Sequence, residues 1–130
     1  GSPLMIGCDV RNLNDETRKI LGNEEIIRIN QDRTCRQPVK LHGTWTGDEL
    51  LLYARQLENG DLAIGMFTLS DGKACARVNL DELGLPLSTG MTLELKELWT
   101  GEVSGVKNAT IIRELEPYDC AVFRAKLVEL

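Results

Sequence analysis

The strongest constraint on the fold of this chain is a two-residue alternation of apolar and polar side chains. It is clearest at residues 91–96, which read MTLELK. Side chains of a β-strand point alternately to its two faces, so this segment offers one face to a core and the other to solvent. The alternation slips by one at Leu98 and Trp99, which indicates either a bulge or the end of the strand.

Similar short apolar segments recur along the chain. Turn residues separate them, and strands are predicted at residues 40–45, 49–57, 62–69, 74–80, 109–115 and 120–128. Such spacing is typical of an antiparallel β-sandwich, here mainly β with about seven or eight strands. Asn59 and Gly60 predict a type I′ hairpin turn, because both central residues of that turn need positive φ. Residues 81–86 predict one helical turn, and residues 100–106 predict a loop.

Two short helices are predicted before the strands. Asn14 is a favourable N-cap for the first helix, and Gly22 is placed to end it in the left-handed conformation. Asn23 is placed to cap the second helix, whose apolar side chains are Ile26, Ile27 and Ile29. A polar segment follows and is interpreted as a linker. We therefore divide the chain into an N-terminal region, residues 1–38, and a β domain, residues 39–130.

The charge distribution argues against some classes of partner. The chain has 130 residues and a formal net charge of −5, and its acidic and basic residues are interspersed. Nucleic acids and anionic lipids bind clustered Lys and Arg, so we expect no nucleic-acid partner and no membrane partner. No apolar run approaches the roughly 20 residues that span a bilayer, and no signal peptide is recognisable.

Residue types that bind metals or form disulfides are few. The cysteines are Cys8, Cys35, Cys75 and Cys120, without a C-x-x-C pair, and His42 is the one histidine. Zinc sites need clustered Cys and His ligands, so we expect no metal and no cofactor. A disulfide between Cys75 and Cys120 stays open as an alternative to free thiols. The compartment is also left open, with a reducing one slightly favoured.

Two N-terminal stretches carry a resemblance to a known family. Residues 2–11 (SPLMIGCDVR) and 21–32 (LGNEEIIRINQD) resemble the end of the catalytic barrel in α-galactosidases of glycoside hydrolase family 27, the melibiases. Later stretches resemble landmarks of that family's C-terminal β domain, and they lie at residues 57–67, 81–85, 97–101 and 116–124. The resemblance runs nearly from end to end of the chain.

The resemblance implies a (β/α)8 barrel followed by an antiparallel sandwich. Residues 2–37 would then hold the last barrel strand, with its apolar run Leu4, Met5 and Ile6, and the helices that follow it. The missing part of the barrel would be the partner of this chain. Because a buried parallel strand has here lost its neighbours, we expect residues 1–12 to be mobile or to pack non-natively.

The resemblance also implies a chemistry for the parent protein. The family hydrolyses terminal α-galactosides with retention, and retaining hydrolysis needs two carboxylates about 5–5.5 Å apart. The family segments that carry them have no counterpart here, so we assign no catalytic residue and expect this chain alone to be inactive. α-N-acetylgalactosaminidase or β-L-arabinopyranosidase specificity stays open, since pocket residues on the missing strands decide it.

A few residues are weak candidates for contact with a sugar. Asp9 follows the predicted barrel strand, although a structural role beside Arg11 is favoured. Aromatic side chains stack on sugar rings, and four are candidates for this role: Trp45, Tyr53, Trp99 and Tyr118. Trp45 is the most plausible of them. If they bind galactosides, even weakly, the sandwich is a carbohydrate-binding module. Trp99 is expected to pack in the core or between domains instead.

Other reactive side chains favour ordinary roles. The adjacent carboxylates of Glu24 and Glu25 diverge on a helix, and both sit where a helix N-terminus favours negative charge. Cys8 has no visible base or orienting group, so a role as a nucleophile is not expected. His42 lies in a short predicted strand and is expected at the surface.

Overall fold

The computed structural model describes residues 2–41 and 49–130 and has the predicted order of two helices followed by β-strands. The helices are α1 (Asp15–Leu21) and α2 (Glu24–Asn30). The strands are β1 (Val39–Lys40), β2 (Leu50–Gln56), β3 (Leu62–Thr68), β4 (Ala74–Asn79), β5 (Met91–Glu97), β6 (Val103–Gly105), β7 (Thr110–Leu115) and β8 (Cys120–Glu129). Short 3-10 turns lie at Val10–Asn12, Leu80–Leu83 and Leu87–Thr89. Among these described residues, no helix is long and apolar enough to cross a membrane.

The strands form two antiparallel sheets that enclose one core. The large sheet has the order β1-β2-β3-β8-β5-β6, and the small sheet pairs β4 with β7. Side chains from both sheets, and Leu80 of the 3-10 turn after β4, are fully buried between them, the largest being Leu52, Ile64, Met66, Leu80, Leu93, Leu115 and Val78. The predicted mainly-β antiparallel sandwich is therefore confirmed.

Alternation along the strands separates a core face of the large sheet from an outer face. On β5, Leu93 and Leu95 are buried, whereas Glu94 is exposed and Lys96 half-buried on the other side. On β8, Ala125 is buried and Arg124 lies on the outer face. The slip at Leu98 and Trp99 marks the end of β5, because the strand stops at Glu97.

The hairpin between β2 and β3 does not have the predicted type I′ turn. Gly60 has a φ of 88°, but Asn59 has no positive φ, and the Gly60 N–H donates to the Leu57 carbonyl at 3.1 Å. The Asn59 side chain accepts the Asp61 N–H at 3.0 Å, which favours an Asx turn instead. A turn with two positive φ angles occurs later, at Asn108 and Ala109, both at 53°.

The end of α1 and the start of β6 also differ from prediction. Gly22 has a φ of −95°, so it is not left-handed. A Cβ there would lie 2.8 Å from the Arg18 carbonyl oxygen, so glycine is needed for close approach and not for positive φ. Residues 100–106 contain β6, which is three residues long and too short to show an alternation.

The predicted barrel strand at the N-terminus is not a strand. The described residues before Val10 have no regular structure, and the Leu4 N–H donates to Asn30 Oδ1 at 3.1 Å. Asn30 Nδ2 in turn donates to the Ser2 carbonyl at 2.9 Å. The apolar side chains remain exposed, Met5 by 87%. A β-strand needs a neighbour for its backbone hydrogen bonds, and this segment has only the end of α2.

The cysteines form no disulfide. All four are free thiols, with Cys75 on β4 in the small sheet and Cys120 on β8 in the large sheet. Burial raises the pKa of the Cys120 thiol, which lowers its reactivity at neutral pH. The alternative of a bridge between Cys75 and Cys120 is thus wrong for this structure.

Candidate functional site

The most specific arrangement of polar groups lies where α2 rests on the outer face of the large sheet. At the N-terminus of α2, Asn23 makes two bonds with different functions. Its Oδ1 accepts the Ile26 N–H at 3.2 Å, which caps the helix, and its Nδ2 donates to the Leu98 carbonyl at 2.9 Å. One side chain thus both starts the helix and ties it to the end of β5.

The other end of α2 is held by a buried arginine. Arg55 on β2 is only 9% exposed, and its Nη1 donates to the Ile29 carbonyl at 2.8 Å. Carbonyls in the last turn of a helix lack helical hydrogen-bond donors and carry partial negative charge. A guanidinium supplies both a donor and a positive charge. Within residues 2–41 and 49–130, Arg55 Nε has no hydrogen-bond partner.

Arg55 belongs to a row of cations that runs across the sheet. In the strand register, Lys96 on β5 lies opposite Arg124 on β8, Arg124 lies opposite Ala63 on β3, and Ala63 lies opposite Arg55. Directly opposed residues share a face, so the three cations lie in one line on the outer face. We call Lys96, Arg124 and Arg55 the cation row.

Two members of the cation row, Lys96 and Arg124, each pair with a carboxylate. Lys96 Nζ lies 3.0 Å from Glu25 Oε1 in the first turn of α2, and Arg124 Nε lies 2.9 Å from Asp61 Oδ2. Adjacent strands are about 4.8 Å apart, so β5 and β2 are separated by roughly 14 Å. Because Glu25 reaches β5 and Ile29 reaches β2, α2 must run across the strands and along the cation row.

Electrostatics favour the charged form of the helix carboxylate at this contact. The hydrogen bond from Lys96 lowers the pKa of Glu25, against an opposing effect of partial burial. Lowering the pKa means that the folded state holds Glu25 more firmly in its ionised form than the unfolded chain does. The contact between Glu25 and Lys96 therefore contributes stability at neutral pH.

The segment after α2 is fastened to the same sheet. Asp32 Oδ2 accepts the Glu58 N–H of the β2–β3 loop at 3.0 Å, and this hydrogen bond is the main cause of the lowered pKa of Asp32. A few residues later, Arg36 hydrogen-bonds the Gln56 side chain at the end of β2. Helix α2 and the residues after it are thus attached to β5, to β2 and to the β2–β3 loop of the large sheet.

Next to this contact the N-terminal region exposes apolar surface. Ile26, Ile27 and Ile29 of α2 are half-buried, so the sheet covers the helix only in part. Other large apolar side chains of the region are exposed, namely Leu4, Met5, Ile6, Val10 and Ile20. Trp99 follows Leu98 at the N-terminal end of α2 and is 39% exposed. A run of exposed apolar residues such as Leu4, Met5 and Ile6 commonly marks an interaction site.

Among the described residues, the sequence candidates for sugar contact lie in separate places. Asp9 caps the 3-10 turn at Val10–Asn12, and its Oδ1 accepts both the backbone N–H and Nε of Arg11 at 3.0 Å. The hydrogen bond from the Arg11 guanidinium holds the pKa of Asp9 below its usual range. Trp45 lies outside the described residues, as does His42. Sugar contact by Asp9 or Trp45 stays a prediction.

The remaining candidates are separate from one another. Tyr53 packs edge-on against Phe67 on the outer face, with ring centroids 6.5 Å apart. Tyr118 is 70% exposed in the turn between β7 and β8, and Cys8 is exposed. Arg28 lies 3.7 Å from Glu24 and 3.9 Å from Glu25, and Glu25 also pairs with Lys96. The residues that the structure describes contain no group of three or more Cys, His, Asp or Glu that could hold a metal ion.

Sequence reasoning missed the cation row. Each of its members lies in a predicted strand, at a position where the alternation places it opposite the core. Alternation gives the face of a side chain but not its lateral neighbours, which depend on the register between strands that are distant in sequence. The pairing of β5 with β8 and of β8 with β3 therefore could not be read from the pattern.

Comparison with known sequences identifies the sandwich. The family described as "Alpha galactosidase C-terminal beta sandwich domain" matches residues 47–125. The chain belongs to this family. An α-galactosidase of Oryza sativa subsp. japonica is 30% identical over 122 residues, which are 94% of this chain and 28% of that enzyme. The chain thus spans little more than a quarter of the length of the first curated relatives that it matches.

Solved structures of full-length enzymes show the same fold for this α-galactosidase C-terminal domain. α-Galactosidase I from Mortierella vinacea superposes with a TM-score of 0.82 at 23% identity, over 95% of this chain and 32% of that one. A family 27 β-L-arabinopyranosidase from Geobacillus stearothermophilus superposes with a TM-score of 0.80 at 22% identity, over 96% of this chain and 27% of that one. At these identities the likeness concerns the fold alone.

One stretch that resembles a family landmark has a clear physical role in this α-galactosidase C-terminal domain. Residues 97–101 form the turn between β5 and β6, and the buried carboxylate of Glu97 organises it. Glu97 Oε2 accepts the Thr100 N–H at 2.7 Å and the Thr100 hydroxyl at 2.8 Å, and Gly101 takes a φ of 79°. The stretch thus encodes the turn that presents Leu98 and Trp99 beside α2.

Proposed function

We propose that this chain is the non-catalytic C-terminal part of a retaining glycosidase that hydrolyses terminal α-D-galactosyl residues. Residues 1–38 are the end of its catalytic barrel, and residues 39–130 are the sandwich that holds this end in place. The observation that carries the proposal is the attachment of α2 at both ends, through Asn23 to Leu98 and through Arg55 to Ile29.

The geometry supports an anchoring role. An isolated helix of seven residues is unstable in water, because nucleation is costly and few hydrogen bonds repay it. Helix α2 therefore depends on the sheet for its position, and its last residue, Asn30, in turn bonds Leu4 and Ser2 of the segment that we assign to the last barrel strand of the parent. The exposed side chains of Leu4, Met5 and Ile6 match a segment that the rest of the barrel covers.

The proposal places all catalytic chemistry outside this chain. Purified protein should show no turnover of p-nitrophenyl α-galactoside above a buffer blank. Sequencing the gene upstream of the codon for Ser2 should reveal barrel strands that carry two catalytic aspartates. Turnover that copurifies with this chain, or an upstream frame without a barrel, would refute the proposal.

The specificity of the parent enzyme does not depend on the sandwich. The Geobacillus stearothermophilus enzyme with the same fold is a β-L-arabinopyranosidase, so one sandwich accompanies more than one substrate class. We accordingly place the choice between a galactoside, an N-acetylgalactosaminide and an arabinopyranoside in the barrel. Exchange of the sandwich between two such enzymes should leave the preferred substrate unchanged.

A weak affinity of the sandwich for galactosides is a second candidate function. Tyr118 supports it, because the residue is 70% exposed and has a φ of 56°, an unfavourable conformation for a side chain of this size. Titration with methyl α-galactoside should then give saturable amide shifts at Tyr118 and its neighbours. A flat titration would remove this candidate.

A further inference from the structure

An arginine of the small sheet occupies a position that faces the core. Along β7 the inward positions alternate, and Ile111 and Leu115 are 3% and 2% exposed. Arg113 lies between them and directly opposite Ala76 of β4, which is fully buried. Because opposed residues share a face, Arg113 projects toward the core face of the large sheet, where it is half-buried.

This arginine has no partner that would explain its position. Arg113 makes no ion pair and no side-chain hydrogen bond within residues 2–41 and 49–130, in contrast to Lys96 and Arg124. The guanidinium nitrogens of Arg113 are not among the buried unpaired atoms of the described residues, so the charged group reaches solvent and can receive an anion there.

Arg113 lines an open cleft of about 500 Å³ between β7 and the β5–β6 side of the large sheet. The cleft has an apolar part formed by Leu95, Val106, Ile111 and Phe123. Its charged lining residues are all basic, namely Arg77, Lys107 and Arg113.

We infer that this cleft binds a small organic anion, a carboxylate carried on a ring-sized body. The planar guanidinium of Arg113 suits bidentate recognition of a carboxylate, and the apolar part receives the ring. A volume of about 500 Å³ falls within the range of small-molecule sites, whereas a bare inorganic anion leaves most of the cleft to water. The cleft adjoins the core face of the large sheet, opposite to α2, so this site is independent of the anchoring role.

A matched pair of sugars tests this assignment. Galacturonate and galactose differ only in a carboxylate in place of a hydroxymethyl group, and both can be titrated into the protein while the amide shifts of Ile111 and Phe123 are followed. Galacturonate should give saturable shifts and galactose should not. Inorganic sulfate, the third probe, should bind more weakly than galacturonate because it makes no contact with the apolar part.

Variants test whether Arg113 is the recognising group. Arg113→Gln should weaken galacturonate binding at least about tenfold, as expected for loss of charge-assisted hydrogen bonds. Arg33→Gln, the same change on the exposed linker, should leave binding unaltered. If Arg113→Gln does not fold, Lys107→Gln on the exposed turn takes its place and should weaken binding severalfold. Equal binding of galactose, tighter binding of sulfate, an unaffected variant or no saturation by any probe would overturn the inference.

Discussion

Asn23 donates a hydrogen bond from Nδ2 to the carbonyl of Leu98 while its Oδ1 caps α2, so one amide side chain links the helical region to the sandwich. Asn23→Asp separates the two functions, because aspartate caps a helix as well as asparagine does but cannot donate to a carbonyl. We expect a loss of about 1–2 kcal/mol in the free energy of unfolding, measured by urea denaturation.

Asn14 supplies the matched control. It caps α1 by accepting the Thr17 N–H at 2.8 Å, and its side chain makes no hydrogen bond to the described part of the sandwich. Asn14→Asp should therefore change the free energy of unfolding by less than about 0.5 kcal/mol. Equal effects of the two substitutions would show that the bond to Leu98 contributes nothing.

The ion pair between Glu25 and Lys96 should make part of the stability depend on pH. A double-mutant cycle with Glu25→Gln and Lys96→Met should give a coupling free energy of about 0.5–1 kcal/mol at pH 7. The pKa of Glu25 is lowered from its ordinary value of 4.5, so the coupling is fully present above that pH. It should decline as the pH falls through the lower folded-state pKa and disappear once Glu25 is protonated.

The exposed pair of Glu24 and Arg28 provides a comparison on the same helix, measured with Glu25 intact because Arg28 also lies 3.9 Å from that residue. Both side chains are largely in solvent, so the coupling between them should be about 0.3 kcal/mol and sensitive to salt. A coupling between Glu25 and Lys96 that is no larger, or that stays constant down to pH 2, would contradict the assigned role of this contact.

Arg55 should be the most sensitive position of the cation row because it is the most buried. Arg55→Met keeps the apolar stem but removes the donor to the Ile29 carbonyl, and we expect a loss of about 1–3 kcal/mol in the free energy of unfolding. Arg33→Met, on an exposed side chain, should cost less than about 0.5 kcal/mol. Thermal and urea unfolding would measure the stability of both variants. Unchanged stability of Arg55→Met would show that the bond to the Ile29 carbonyl does not hold this end of α2.

The turn after β5 should depend on the buried carboxylate of Glu97. Glu97→Gln leaves one acceptor oxygen but loses the charge-assisted bonds to the N–H and hydroxyl of Thr100, so we expect a loss of about 1–2 kcal/mol. Glu94→Gln, on the exposed side of the same strand, is the control and should be nearly neutral. If urea denaturation gives similar stability for the two variants, the Glu97 carboxylate does not organise this turn.

Sequence reasoning succeeded where local periodicity determines the structure. The alternation at residues 91–96 predicted β5, and Asn14 and Asn23 were recognised as caps because their side chains act within one helical turn. The position of Gly22 as the end of α1 was also recognised, but its φ was not, since Gly22 is needed there for its close approach to the Arg18 carbonyl of α1.

The features that escaped prediction depend on partners distant in sequence. The cation row needs the register of four strands, and Arg113 could be seen as an inward-facing charge only once Ala76 was known to lie opposite it. The Asn59–Gly60 turn was misassigned because the side chain of Asn59 competes for the Asp61 N–H.

Amide hydrogen exchange of α2 tests most directly whether the sandwich holds this helix. A free seven-residue helix would exchange almost as fast as an unfolded chain, so protection at Ile27 and Arg28 reports docking on the sheet. We predict clear protection of these amides in the wild type, and its loss in Arg55→Met while Ile64 of β3 stays protected. Exchange of Ile27 and Arg28 at the unfolded rate in the wild type would contradict the anchoring role.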